Sequence, residues 1–201
     1  MNKTALNKIR HANESGATVL DLRSNQIHDL TPLKGLRNLK NLYLSYNRIL
    51  SLEPLVKLTK LEDLFLNDNR ITDLTPLKGM VKLEQLSIGG NQVVNLKGLE
   101  EMKNLKTLYL RSNQITDITP LMGLTMLKNL YLSYNQITFL SPLAELSKLE
   151  ELFLNDNKIT DLKPLTSLTK LERLNLAANN LTKEMKLMLK KALPDCHIEF
   201  G

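Results

Sequence analysis

The chain has 201 residues, of which 42% are hydrophobic, and it carries a formal net charge of +6. Its longest apolar runs are only a few residues, which excludes a transmembrane helix of about 20 apolar residues. Basic and acidic residues are interspersed, as at Lys40, Glu62 and Lys106. This pattern favours a solvated face of mixed charge over a basic stripe for nucleic acid, so nucleic acid is not the expected partner.

The first predicted element is a helix over Thr4–Glu14, which Gly16 is placed to end. The residues predicted to lie on its inner side are Ala5, Leu6, Ile9 and Ala12. A terminal unit of a repeat array has no neighbour to cover its core, and an amphipathic helix provides such a cover. We therefore assign residues 1–16 to an N-terminal cap.

After this helix the sequence repeats every 22 residues, from about Ala17 to Leu181. The marker of the period is an asparagine that recurs eight times: Asn25, Asn47, Asn69, Asn91, Asn113, Asn135, Asn157 and Asn179. A fixed period of this length is typical of solenoids, whose units stack and share one core. We predict one elongated domain over residues 1–201, with eight repeats over 17–181.

Each unit contains a leucine pattern with a defined spacing. The pattern L-x-x-L-x-L-x-x-N-x-L falls on Leu39, Leu42, Leu44, Asn47 and Ile49. It resembles the leucine-rich repeat family, and the following x-D-L-x-P-L-x-x-L segment is similar to the internalin-like and phosphatase-1-regulator-like branch. The resemblance implies an α/β solenoid, a horseshoe with a parallel sheet on its concave face. It also implies a protein partner, although neither branch assigns partner residues here.

A short strand is predicted within each unit, for example over Asn41–Ser45. Because side chains alternate along a strand, Leu42 and Leu44 are expected to point inward, with Asn41, Tyr43 and Ser45 outward. The asparagine that follows is expected to bond to backbone groups of the turn.

The returning, convex segment usually contains a proline. These prolines are Pro32, Pro54, Pro76, Pro120, Pro142 and Pro164. Proline fixes φ and lacks an N–H group, which favours a 3₁₀ turn or an extended segment. Two units depart from the pattern: Gly98 replaces the proline in the fourth, which predicts a looser coil, and Phe139 replaces an aspartate, which predicts an exposed ring on the convex side.

The period ends after Leu181, and residues 182–201 are predicted to form a C-terminal cap. The cap begins with a helix over Thr182–Leu193, whose inward side is predicted to consist of Met185, Met188, Leu189 and Ala192. The last residues alternate between apolar and polar from Cys196 to Phe200, which predicts an edge strand that closes the sheet.

The residues that most often carry catalysis do not converge in the predicted fold. His11, His28 and His197 fall in the N-terminal cap, a convex turn and the last strand. Cys196 is expected to be a core residue, since it and His197 point to opposite faces of a strand. Gly89-Gly90 lacks the lysine of a phosphate-binding loop. We therefore predict no enzyme activity, no cofactor and no metal ligand.

The cellular compartment follows from two weaker signals. A single cysteine and an N-terminus without a secretory apolar run favour the cytoplasm. A surface or secreted form with its signal removed remains the alternative. We expect a monomer.

The informative pattern is on the outward face of the sheet, where two columns hold most of the aromatic residues. All five tyrosines and two of the four phenylalanines fall there. The predicted partner-binding residues are Tyr43, Tyr46, Phe65, Asp68, Tyr109, Arg111, Tyr131, Tyr134, Phe153 and Asp156. Aromatic side chains are enriched in interface cores, so this face is interpreted as the docking surface for a protein or peptide.

Two other interpretations stay open. Aromatic columns stabilise sheets through cross-strand contacts, and segment 39–47 is repeated without change at 127–135. A duplicated or engineered scaffold with no natural ligand would show the same surface. Between the aromatic groups, Ser87, Gly89 and Gly90 predict a shallow gap, which either receives a partner or merely relieves crowding.

Overall fold

The computed structural model describes residues 2–201, and Met1, which the predicted N-terminal cap included, lies outside them. The chain forms one open parallel sheet whose strands follow each other in chain order. The strands are β1 (Val19–Asp21), β2 (Asn41–Tyr43), β3 (Asp63–Phe65), β4 (Gln85–Ser87), β5 (Thr107–Tyr109), β6 (Asn129–Tyr131), β7 (Glu151–Phe153), β8 (Arg173–Asn175) and β9 (His197–Glu199). The predicted horseshoe is confirmed, although each strand has three residues and β2 ends at Tyr43 rather than Ser45.

The sheet register keeps equivalent residues of successive repeats side by side. Tyr43 pairs with Phe65, and Tyr109 pairs with Tyr131. Leu42 and Leu44 are fully buried, as their alternation predicts, and each buried leucine side chain contributes about 1.5–3 kcal/mol of hydrophobic stabilisation. The core is therefore one continuous column under the sheet. We call the segment containing each of β1 to β8 a rung, numbered one to eight.

Ser45, which is predicted to point outward, is only 5% exposed. Ser133, its copy in rung six, is equally buried, and its Oγ donates to Asn155 Oδ1 at 2.5 Å. A small side chain at this position of the repeat is covered by the larger residues at the same position on the neighbouring rungs.

The repeated asparagines connect the rungs through backbone hydrogen bonds. Asn69 shows the pattern: its Nδ2 donates to the carbonyls of Leu66 and Leu44, each at 3.0 Å, and its Oδ1 accepts from the Ile49 N–H at 3.0 Å. The predicted turn bonds are confirmed. The amide also reaches the preceding rung, so each asparagine joins two rungs.

On the convex side, six rungs contain a short 3₁₀ helix with the proline in its first turn. These helices are Thr31–Leu33, Glu53–Leu55, Thr75–Leu77, Thr119–Leu121, Ser141–Leu143 and Lys163–Leu165. Rung four lacks one at Gly98, which has a φ of +102°, and a Cβ there would lie 2.5 Å from the Leu74 carbonyl oxygen. The unit thus differs from the others, but the backbones of Gly98 and Leu74 pack closely, and the looser coil stays a prediction. The backbone conformation requires glycine.

The N-terminal cap is the helix α1 (Lys3–Ser15), which ends at Gly16 with a φ of +63°. Ala5, Ile9 and Ala12 are buried against the core, but Leu6 is 46% exposed. Its predicted inward position is wrong, because the helix turns its narrow alanine side to the first rung.

Asn2 closes the first rung from the N-terminal side. Its Oδ1 accepts from the Ala5 N–H at 2.8 Å, capping α1, and its Nδ2 donates to Asn25 Oδ1 at 3.1 Å. Asn25 belongs to the first rung and has no earlier repeat to provide a backbone N–H, so an amide from the cap replaces it.

The C-terminal cap consists of α2 (Lys183–Ala192) followed by β9, which pairs with β8 in parallel. Leu189 is fully buried as predicted, whereas Met188 is 38% exposed, so its predicted inward position is wrong. The buried stripe of this short helix is narrow and centres on Leu189. Across residues 2–201, no helix is long and apolar enough to span a membrane.

Candidate functional site

The strand row is the outward column at the centre of the sheet. It consists of Asp21, Tyr43, Phe65, Ser87, Tyr109, Tyr131, Phe153 and Asn175. Tyr43 and Phe65 stack with ring centroids 4.9 Å apart and an interplanar angle of 7°. The parallel register places equivalent side chains on neighbouring strands side by side, where their flat faces meet. All five rings of this row are half-buried.

The second half of the strand row contains a longer stack. Tyr131 lies between Tyr109, at 4.4 Å, and Phe153, at 5.2 Å. Its hydroxyl donates to Glu151, which also forms an ion pair with Arg173. Burial is the larger cause and the hydrogen bond to Glu151 the second cause of a pKa of Tyr131 well above its usual value, so this hydroxyl stays protonated at ordinary pH.

The turn row follows the strands by three residues and has a different backbone. It consists of Ser24, Tyr46, Asp68, Gly90, Ser112, Tyr134, Asp156 and Ala178, and every member has a positive φ. Glycine, asparagine and aspartate tolerate this left-handed conformation, whereas a tyrosine in it is uncommon. Tyr46 has a φ of 61° and is 62% exposed, and Tyr134 has a φ of 57° and is 46% exposed.

Two arginines in equivalent positions lie on this face but make different contacts. The Arg23 guanidinium forms an ion pair with Asp21 at 2.6 Å and lies over the Tyr43 ring at 5.3 Å. The hydrogen bond from Arg23 lowers the pKa of Asp21 despite the opposing effect of burial. Arg111 has Tyr109 in place of that aspartate, and its guanidinium lies over the Tyr134 ring at 4.9 Å.

A central cleft separates the two aromatic clusters. Its volume is about 380 Å³, and its lining residues are Asn67, Asp68, Ser87, Gly89, Gly90, Tyr109, Arg111 and Ser112. The predicted gap at Ser87, Gly89 and Gly90 is therefore present. A Cβ at Gly90 would collide with the Asp68 carboxylate, so the small residues keep this part of the face open.

The ten residues predicted to bind a partner thus occupy one continuous face. The first cluster consists of Tyr43, Tyr46, Phe65 and Asp68, and the second consists of Tyr109, Arg111, Tyr131, Tyr134, Phe153 and Asp156. Their assignment to a partner remains a prediction.

Reasoning from the sequence missed three features of this face. The first is the positive φ of the turn row, which only one of its residue types, the glycine at Gly90, directly indicates in the sequence. Asn67, whose Oδ1 accepts from the Ser87 Oγ and the Gly89 N–H at 2.7 Å each, forms one wall of the cleft. The third is the hydrogen bond from Tyr131 to Glu151, which joins that carboxylate to the second cluster. Asn67 could have been found by reading the remaining outward columns across neighbouring rungs.

The histidines lie where the sequence indicates, whereas Cys196, predicted as a core residue of the last strand, precedes β9 and is only partly buried. His11 is in α1, His28 precedes the first 3₁₀ helix, and His197 is in β9. Burial raises the pKa of the Cys196 thiol to about 11, which disfavours the reactive thiolate. Residues 2–201 contain no group of three or more metal-ligating side chains placed to hold an ion.

The leucine-rich repeat family model matches seven overlapping segments of the chain, which together span residues 18–186. No curated protein sequence matches the chain significantly. Internalin C2 of Listeria monocytogenes is 30% identical with a TM-score of 0.93, and the alignment covers 100% of this chain and 93% of internalin C2.

Two further solved structures are similar. The Listeria monocytogenes internalin InlF is 30% identical with a TM-score of 0.91, over 95% of this chain and 56% of InlF. This chain therefore spans little more than half of InlF. The ectodomain of the Arabidopsis thaliana receptor kinase GASSHO1/SCHENGEN3, solved in complex with Casparian strip integrity factor 2, is 26% identical with a TM-score of 0.71, over 81% of this chain and 21% of the receptor chain.

Proposed function

From the premise that this chain belongs to the leucine-rich repeat family, we propose that it is a non-catalytic module that binds a protein or peptide through its concave sheet face. The similar plant receptor ectodomain was solved with a bound factor, which supports an interaction role for this kind of array. The proposed anchors are the aromatic rings of the two clusters, with Asp68, Arg111 and Asp156 setting specificity.

The observation that carries this proposal is the state of Tyr46 and Tyr134. Both rings are exposed, and both stand on a left-handed backbone. That conformation costs a residue other than glycine on the order of 1 kcal/mol. Neither ring is buried in the core, so hydrophobic burial does not offset this free energy. Ser24, Ser112 and Ala178 occupy the same position elsewhere, so the fold does not require an aromatic residue there. Binding to a partner explains why tyrosine occupies these two positions.

The strand row complements them. Its rings are half-buried and fixed by stacking, so they lose little conformational freedom when a partner covers them. Tyrosine offers a large apolar area with a polar tip, which suits an interface that is wet when free and dry when bound. The array therefore presents a preformed surface.

The test uses a displayed library of random peptides selected on the wild-type protein, followed by affinity measurements with the best synthetic peptide. Tyr46→Ala and Tyr134→Ala should each weaken binding by about tenfold or more, the range of an aromatic anchor at an interface. Ala178 shows that alanine is accepted in this backbone conformation, so circular dichroism and urea unfolding should show intact folds.

Phe139→Ala is the matched control. Phe139 is 63% exposed on the convex side, so its removal deletes a comparably exposed ring from the opposite surface and should leave affinity unchanged. The proposal is wrong if both tyrosine variants bind the selected peptide as the wild type does.

The second candidate is a structural scaffold without a ligand. The stacks between Tyr43 and Phe65 and between Tyr109 and Tyr131 are what a purely stabilising role predicts. That role does not account for Tyr46, and it accounts for Tyr134 only through the contact of its ring with Arg111. A selection that yields no peptide depending on either tyrosine, together with high thermal stability, would favour the scaffold.

A further inference from the structure

We propose that the central cleft binds a peptide segment that carries opposite charges, with a basic side chain on Asp68 and an acidic side chain on Arg111. This inference rests on the proposed function, which it deepens by naming the chemistry of the partner.

The floor of the cleft leaves few polar groups for a partner to satisfy. Ser87 is only 2% exposed, and its Oγ and the Gly89 N–H both donate to Asn67 Oδ1 at 2.7 Å. The Gly90 N–H donates to the Arg111 carbonyl at 2.9 Å. Because these groups are already paired within the chain, recognition depends on the charged side chains at the two walls.

Those two walls carry charges of opposite sign that are available. In the part of the chain that the structure describes, neither Asp68 nor Arg111 takes part in an ion pair. Along the strand edge, by contrast, charges are neutralised in pairs, such as Lys106 with Glu84 at 2.6 Å. A side chain of the right sign on a partner would therefore gain an attraction at each wall without breaking an internal pair.

The spacing of the walls fits a short segment. Asp68 follows β3 and Arg111 follows β5, so they are two strand spacings apart, about 10 Å at roughly 4.8 Å per strand. An extended peptide rises about 3.3 Å per residue. Its basic and acidic residues would accordingly be two to four positions apart.

The copies of these two residues elsewhere on the face are already engaged. Asp156, the copy of Asp68, accepts from Asn155 Nδ2 at 2.7 Å, and Arg23, the copy of Arg111, is paired with Asp21. Duplication of the repeat therefore does not account for Asp68 and Arg111: among residues 2–201 neither has an ion-pair partner, and the Arg111 guanidinium contacts only the Tyr134 ring, at 4.9 Å.

The experiment repeats the peptide selection on the full chain with three proteins: wild type, Asp68→Lys and Arg111→Glu. The wild type should enrich peptides with a basic and an acidic residue two to four positions apart. Asp68→Lys makes both walls basic and should enrich pairs of acidic residues. Arg111→Glu makes both walls acidic and should enrich pairs of basic residues.

Affinities of the best wild-type peptide, made synthetically, give the magnitude. Asp68→Asn and Arg111→Gln should each weaken binding by about threefold to tenfold, the range of a partly solvated charge contact. The matched control Arg23→Gln removes the same charge as Arg111→Gln outside the cleft and should leave affinity within about twofold.

Three results would overturn the inference. Enrichment of the same peptide sequences on all three proteins would show that the cleft charges do not determine which peptides bind. Binding that depends on Tyr46 and Tyr134 but not on Asp68 or Arg111 would remove this inference alone and leave the proposed function standing. A wild-type selection that gives no peptide above the Tyr46→Ala/Tyr134→Ala variant would remove both.

Discussion

Rungs two and three and rungs six and seven are near-copies of each other, with the same nonapeptide at 39–47 and 127–135. Their buried frameworks are closely similar, although Asn47 Oδ1 accepts from the Asn25 and Ile27 N–H groups, whereas Asn135 Oδ1 accepts from the Ile115 N–H. Asn47 Nδ2 donates to the Leu22 and Leu44 carbonyls, and Asn135 Nδ2 donates to the Leu110 and Leu132 carbonyls in the same pattern. The difference between the two regions lies on the concave surface.

That difference comes mainly from one preceding residue. The strand row holds Asp21 before the first copy and Tyr109 before the second. Asp21 holds Arg23 in an ion pair, whereas Tyr109 lengthens the aromatic stack and leaves Arg111 to lie over Tyr134. A repeat array can therefore copy its framework and still change its surface chemistry through the neighbouring rung.

The largest expected effect tests whether the two frameworks are equivalent. Asn47→Ala and Asn135→Ala should each lower the free energy of unfolding by about 3–5 kcal/mol, because each leaves several buried backbone groups unpaired at roughly 1–3 kcal/mol apiece. Urea unfolding followed by circular dichroism measures both. Losses that differ by more than about 1 kcal/mol, beyond ordinary experimental error, would show that the copies are not equivalent inside.

The controls for this comparison are the exposed neighbours Arg48 and Gln136. Alanine at either position should change the free energy of unfolding by less than about 0.5 kcal/mol.

An intermediate effect tests the difference between the stacks. Tyr131→Ala should destabilise the fold by about 1 kcal/mol more than Tyr43→Ala, because Tyr131 stacks on two rings and donates a hydrogen bond, whereas Tyr43 stacks on one ring. Differential scanning calorimetry or urea unfolding measures the gap. Tyr131→Phe keeps the stacking and removes the hydroxyl, so it should recover part of the loss. Equal losses for the two alanine variants would contradict this account.

The smallest effect concerns the ion pair that distinguishes the first copy. Asp21→Asn should lower Tm by only about 1 °C, because the pair is exposed and screened by solvent. The pKa of Asp21 is lowered in the fold from its usual 3.8. Its contribution is therefore present above the unfolded-state pKa and is lost as pH falls through the folded one.

Thermal unfolding of wild type and Asp21→Asn checks this pH dependence. The difference in Tm should be present near about pH 6 and should shrink toward about pH 3 and below. A difference that grew on acidification would have the wrong sign and would rule out the ion pair as its cause.

The array itself was predictable from the sequence because the same 22-residue pattern occurs eight times. A 22-residue period with Asn47 and its equivalents determines which strands are neighbours, and the leucine spacing determines which side chains are buried. The same register placed the aromatic residues on one face. Predictions failed at the ends, where Leu6 and Met188 lie in helices outside the period and no repeated pattern determines how those helices are rotated.

Three properties of the concave face could not be read from a single unit. The burial of Ser45 and the ion pair between Asp21 and Arg23 depend on which residues happen to be adjacent on neighbouring rungs and on rotamers. The positive φ of Tyr46 is imposed by the turn, and tyrosine is not a residue that signals it. Local sequence patterns describe the framework well and the contacts between side chains poorly.

The direction of the asparagine bonds has a consequence for how the chain is made. The Ile49 N–H of one rung is bonded to Asn69 of the next, 20 residues later, and the same holds for Ile71 and Asn91. During synthesis from the N-terminus, the Ile49 N–H and its equivalents can therefore be bonded only after the following rung has emerged. Asn2 and α1 precede the rungs that they cap, whereas the Leu176 N–H of the final rung is bonded only once β9, which carries the Glu199 carbonyl, has emerged.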